Sequence, residues 1–107
     1  MLKKINRADR KTVESIFREG KFLNSLNLTF KFLKTVQNGR KISILVPKSV
    51  VKSAVKRNLL RRLGYKALEK YIAGFPAGLR GVFVFKKYQN DVLTLENEIK
   101  TALAKIN

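Results

Sequence analysis

Histidine and cysteine are both absent from the 107 residues. Their absence removes the imidazole base, the thiolate nucleophile, disulfides and every nitrogen–sulfur metal site. Acids are scarce as well: seven Asp and Glu stand against 24 Lys and Arg, for a formal net charge of +17. The seven are scattered, and none forms the close pair that two-metal chemistry uses. No metal site is expected on the protein itself. Glycine is too sparse for a phosphate-cradling loop, since "AGFPAGLRG" lacks both the spacing and the lysine. No stretch approaches the roughly 20 apolar residues that span a bilayer. The basic opening "MLKKINRADRK" is not followed by an apolar run of signal-peptide length. A stand-alone enzyme is disfavoured. The expectation is a soluble cytoplasmic protein with no membrane partner.

What the chain does have is positive charge of uneven distribution. From Gly20 to Leu68 there is no acid, while twelve basic residues fall in that span. They are Lys21, Lys31, Lys34, Arg40, Lys41, Lys48, Lys52, Lys56, Arg57, Arg61, Arg62 and Lys66. Ordinary solvated surfaces mix both signs. Self-repulsion on this scale opposes compaction unless a polyanion relieves it. A one-sign middle suits phosphate binding, which releases condensed counterions.

At 45% hydrophobic, the chain supports one modest core and a single domain, 1–107. Val13, Ile16 and Phe17 recur at helical spacing between Asp9 and Glu19, and Gly20 is a plausible stop. A short strand at Lys21–Leu23 precedes "LNLTFKFLKTV", which alternates Leu26, Leu28, Phe30 and Phe32 against Asn27, Thr29 and Lys31. Asn38-Gly39 signals a hairpin, with "KISILV" as the returning strand. The strand "LRGVFVFKK" is almost uninterrupted in apolar character and is expected at the sheet centre. A last helix from Asp91 or Thr94 gathers Leu95, Ile99, Ala102, Leu103 and Ile106 on one side. The reading is α+β: a two-layer sandwich in the order α-β-β-β-α-β-α. Its four-stranded sheet carries a crossover helix that is right-handed by default.

That crossover helix, starting between Val50 and Ser53 and running to about Ile72, is the informative element. On a helical wheel, Val55, Leu59, Leu60, Leu63, Ala67 and Tyr71 form the expected packing side. Arg57, Asn58, Arg61, Arg62 and Tyr65 point elsewhere. Like charges four apart cost a helix a few tenths of a kcal/mol per pair, yet the sequence places Arg57 beside Arg61. Guanidinium forks match phosphate oxygens, and Asn58 adds a neutral donor and acceptor. Tyr65 either stacks on a base or packs in the core with its hydroxyl outward. Lys48, Lys52 and Lys56 complete the candidate nucleic-acid-binding set.

"AVKRNLLRR" (54–62), preceded by "VPK" (46–48), resembles the "V-S-K-K-V" entry and "A-V-x-R-N-R-x-[KR]-R" helix of the bacterial ribonuclease P protein subunit. "NRADRKTVESIFREGKF" (6–22) is similar to that family's N-terminal helix, and the spacings agree along nearly the whole chain. Leu59 and Leu63 stand where the family has arginine, and Ala8 and Val13 where leucine and phenylalanine are common. The resemblance implies the cofactor of a ribozyme that removes the 5′ leader from precursor tRNA, with Mg²⁺ held mainly by the catalytic RNA. Arg57, Asn58, Arg61 and Arg62 would contact that RNA. Arg7, Val13, Phe17, Thr29 and Lys31 would line a cleft for the single-stranded leader. The crossover would then be left-handed.

Phosphate contacts look alike in a structural, ribosomal-type RNA binder, which is the alternative reading. Helix-turn-helix DNA binding is disfavoured because strands, not a helix, precede the basic helix. Among the aromatics, Phe22, Phe30, Phe32, Phe83 and Phe85 are read mainly as core, and Phe17 as divided between core and cleft.

Overall fold

The computed structural model describes residues 7–106. The order is α1 (Arg10–Glu19), β1 (Lys21–Asn24), β2 (Leu28–Lys34), β3 (Lys41–Leu45), α2 (Ala54–Glu69), β4 (Leu79–Phe85) and α3 (Val92–Ile106), with a 3₁₀ turn at Ile72–Gly74 after α2. This is the expected α-β-β-β-α-β-α order. Helix starts follow local chemistry: Asp9 accepts the Thr12 N–H at 2.8 Å, and Ser53 accepts the Lys56 N–H at 3.3 Å. α2 ends at Glu69 rather than near Ile72.

The strands form one mixed sheet in the order β1-β2-β4-β3. β4 is central as expected, antiparallel to β2 and parallel to β3. The hairpin expected at Asn38-Gly39 is therefore corrected. β3 does run back antiparallel to β2, but β4 lies between them. The connection wraps the start of β4 instead of closing a two-stranded turn. Gly39 and Gly78, at φ +76° and +85°, let the two chains approach there, and the Gly78 N–H donates to the Gly39 carbonyl at 2.7 Å. Arg80, almost wholly buried, donates to the Asn38 and Gly39 carbonyls and to Gln37 Oε1 at 3.0–3.1 Å. A turn sequence reports local geometry, while a central strand needs ladder partners on both sides.

The core lies between the sheet and the pair α2–α3, forming the expected two layers, and joins Phe30, Phe83, Phe85, Ile44, Leu60, Leu68, Phe75, Leu95 and Ile99. Phe30, Phe32, Phe83 and Phe85 are buried, so they are core rather than stacking platforms. Phe30 stacks on Phe83 at 4.2 Å and on Phe32 at 5.2 Å between ring centroids. Its ring lies over Gly81, where an added Cβ would meet it at 2.5 Å. Gly81→Ala is expected to lower unfolding free energy by about 1–2 kcal/mol through overpacking; a chemical denaturation midpoint checks this. α1 covers part of the opposite face through Ile16. Leu26, expected to share the buried face of β2, is exposed because the strand begins at Leu28.

The packing side of α2 is also corrected. Val55 is 78% exposed and Leu59 38%, while Gly64, Tyr65 and Leu68 join Leu60 and Ala67 inside. No residue of α2 before Leu60 is buried. The first half of the helix stands out from the core, so Val55 and Leu59 are left partly or largely exposed. Farther along, Gly64 lets β3 approach: a Cβ there would meet Ile44 Cγ2 at 2.9 Å.

Candidate nucleic-acid interface

The few acids are largely engaged within the fold. Asp9 and Asp91 cap α1 and α3. The Thr12 N–H, donating to the Asp9 carboxylate, holds its pKa below the ordinary value. Glu98 of α3 reaches the turn between β1 and β2. Its carboxylate accepts the backbone N–H groups of Asn27 at 2.8 Å and Leu28 at 3.1 Å, the Asn27 side-chain amide at 2.7 Å, and the Ser25 hydroxyl. Burial pushes the Glu98 pKa up, but these donors together outweigh it and hold the group below the ordinary glutamate value. Sequence spacing offered no sign of this contact, because Asn27 and Glu98 lie 71 residues apart.

With the acids so placed, no carboxylate among the described residues pairs with Arg57, Arg61 or Arg62; ion pairs among the described residues include Arg10–Glu14, Arg18–Glu19 and Lys70–Glu96. Lys48, Lys52, Lys56, Asn58 and Arg62 are exposed along the projecting half of α2 and the loop before it. Arg57 is held differently. Its Nη1 donates to the carbonyls of Val51 at 3.1 Å and Lys52 at 2.6 Å, so it fastens that loop to the helix. Its charge remains without a counter-charge. Arg61 donates to the side-chain oxygen of Asn58, leaving the Asn58 amide hydrogens facing outward as donors.

Tyr65 is 8% exposed, and its hydroxyl accepts the Ile44 N–H at 3.2 Å. The Arg7 guanidinium lies 4.3 Å from its ring centroid. The structure therefore places Tyr65 in the core, with its ring face already covered, rather than as a free stacking surface. Arg7, Val55, Asn58, Arg61, Arg62 and Tyr65 line one open groove of about 440 Å³. Arg7 is thus grouped with α2. Neither this groove nor its neighbour over Arg7, Asp9 and Lys41 includes Val13, Phe17, Thr29 or Lys31.

Those four lie on the outer sheet face or on α1, which covers part of it, and Lys31 and Phe17 touch. Lys31 Nζ sits 4.4 Å above the Phe17 ring, and Phe17 is 44% exposed. Val13 is half-buried on the same helix. Thr29 is fixed by donating its hydroxyl to Asn24 Oδ1 at 2.8 Å. Phe22, read mainly as core, is 62% exposed and pairs in register with Lys31 across β1 and β2. It shares the outward side of β1 with Asn24, an alternation visible in "KFLN" only once Leu23 is known to pack on the core. Two exposed aromatic rings, Phe17 and Phe22, thus flank Lys31 on the outer face.

No curated protein matches the chain. Among solved structures it is similar to the RNase P protein from Thermotoga maritima, with a TM-score of 0.81 at 23% identity over 94% of this chain and 97% of that one. It is also similar to that protein in complex with 1-(4-fluorophenyl)-2-thiourea, with a TM-score of 0.79 at 23% identity over 92% of this chain and 96% of that one. A Staphylococcus aureus RNase P protein mutant with defective mRNA degradation activity matches with a TM-score of 0.80 at 14% identity over 96% and 89%. These likenesses establish a shared fold. The family model described as Ribonuclease P matches residues 2–107, and the chain belongs to that family of tRNA-processing proteins.

Proposed function

We propose that this protein is the subunit of ribonuclease P that binds the catalytic RNA and the 5′ leader of precursor tRNA, assisting endonucleolytic removal of the leader in the cytoplasm. One observation carries the reading: the projecting half of α2 concentrates cations for which the fold supplies no carboxylate. Phosphates of the RNA neutralise them, while the Phe17–Lys31 face takes the single-stranded leader. Among the described residues no three of His, Cys, Asp and Glu converge on a common point. In this reading Mg²⁺ is held mainly by phosphates of the RNA subunit. No described helix is long and apolar enough to cross a membrane.

Precursor processing by the RNA subunit at low Mg²⁺, with and without the protein, tests this directly. The protein is expected to restore processing that the RNA alone has lost. Arg61→Ala with Arg62→Ala is expected to weaken RNA binding, to reduce the salt slope by about two, and to leave the melting temperature within about 2 °C of wild type. Tight RNA binding without any gain in processing would instead identify a structural RNA binder.

A further inference from the structure

A cavity of about 360 Å³ opens between β1, the end of β2 and the last turn of α3. Leu23, Phe32 and Ile106 give it apolar walls, and Lys21, Lys34 and Lys105 stand at its margin. All three lysines are exposed. The acid that joins the lining, Glu19, is already 4.0 Å from Arg18. None of these residues lines the α2 groove. β1 is the sheet edge opposite β3, against which α2 packs. The cavity and the arginine cluster therefore lie at opposite edges of the sheet.

The geometry points to this cavity as a nucleotide-binding subsite for single-stranded RNA, reached by a strand that crosses the β1 edge from the outer face. The inference rests on the reading of the outer face as a single-strand surface. Apolar walls suit a base that has left its stack, and lysines at the rim suit the phosphates on either side of it. β1 supplies the continuity: Phe22 stands on the outer face, while Lys21 and Leu23, its neighbours in sequence, line the cavity. A single strand lying on Phe17 and Phe22 thus meets the cavity immediately beyond the edge. An edge strand also leaves one row of backbone N–H and C=O groups unpaired, available to ribose hydroxyls.

Amide chemical-shift mapping of the full chain with a single-stranded oligouridylate tests the subsite. Shifts are expected at Lys21, Leu23, Lys34 and Lys105, and they should persist in the Arg61→Ala, Arg62→Ala variant. The triple variant Lys21→Gln, Lys34→Gln, Lys105→Gln changes only exposed side chains and should melt as wild type does. Its salt slope for the oligonucleotide should fall by about two, given roughly 0.7 per phosphate contact on a single strand. An unchanged slope, unshifted cavity amides, or equal shifts with a duplex of the same length would overturn the proposal. Larger shifts of the same amides with an acidic peptide would overturn it too. Failure of the subunit reading shows separately, as absent stimulation of precursor processing.

Discussion

Raising monovalent salt from about 50 to about 200 mM is expected to weaken binding to a ribonuclease P RNA by roughly 10³-fold, approaching 10⁵ as more phosphates engage. The lower figure follows from the projecting half of α2, its continuation and the loop before it. Lys48, Lys52, Lys56, Arg61, Arg62 and Lys66 supply six cations there, and each phosphate neutralised on a duplex contributes about 0.9 to the logarithmic slope. Cations locked in internal ion pairs would give a shallow response, because no counterions are released when an existing pair is exchanged for a new one. The absence of carboxylates at Arg57, Arg61 and Arg62 among the described residues argues for the steep one. Filter binding or fluorescence anisotropy across a salt series measures the slope. A flat response would mean that the charge surplus does not act through phosphate contact.

Glu98→Ala should produce the largest stability loss of any surface-accessible carboxylate change, about 3 kcal/mol. Two backbone N–H groups, one side-chain amide and one hydroxyl converge on this group. Truncation leaves partly buried donors unsatisfied, each worth about 1–3 kcal/mol before water compensates. The damage is also directional. The turn from Ser25 to Leu28 joins β1 to β2, so its loosening frees the edge strand that carries Phe22 and Leu23. Denaturant unfolding measures the total loss, and amide exchange should show β1 opening first.

The same network sets an acid limb. Glu98 is held below its ordinary pKa in the folded state, so the unfolded chain takes up this proton first as pH falls. The stabilisation is complete above the ordinary glutamate range and is lost as pH drops through the lowered folded value. Glu98→Gln should flatten that part of the stability curve. A curve that keeps its full slope in the variant would assign the acid sensitivity to another group.

Local patterns in the chain predicted each α-helix and β-strand among the described residues, because each carries its own periodicity and caps, but not the 3₁₀ turn at Ile72–Gly74. Asp9, Gly20 and Ser53 sit at helix boundaries, and the apolar run at 79–85 is central as read. The basic helix and its neighbours Lys48 and Lys52 were equally legible, since charge of one sign needs no partner to be seen. Other assignments depended on neighbours distant in sequence. Asn38-Gly39 looks like a hairpin until β4 claims the space between β2 and β3. Val55 and Leu59 look like core until α2 proves longer than the surface it covers. Tyr65 and Arg7 were separate candidates for two sites, and the fold stacks one on the other.

What the sequence by itself determined is the order of helices and strands, the surplus of cations and the impossibility of imidazole or thiolate chemistry. These depend on composition and short-range spacing alone. Only the tertiary structure decided which cations stay uncompensated, which phenylalanines face water and where the few carboxylates are used. Those outcomes are set by contacts between residues many tens of positions apart, such as Glu98 with Asn27 and Arg80 with Asn38. Such contacts arise from the packing of whole elements, which no local pattern encodes.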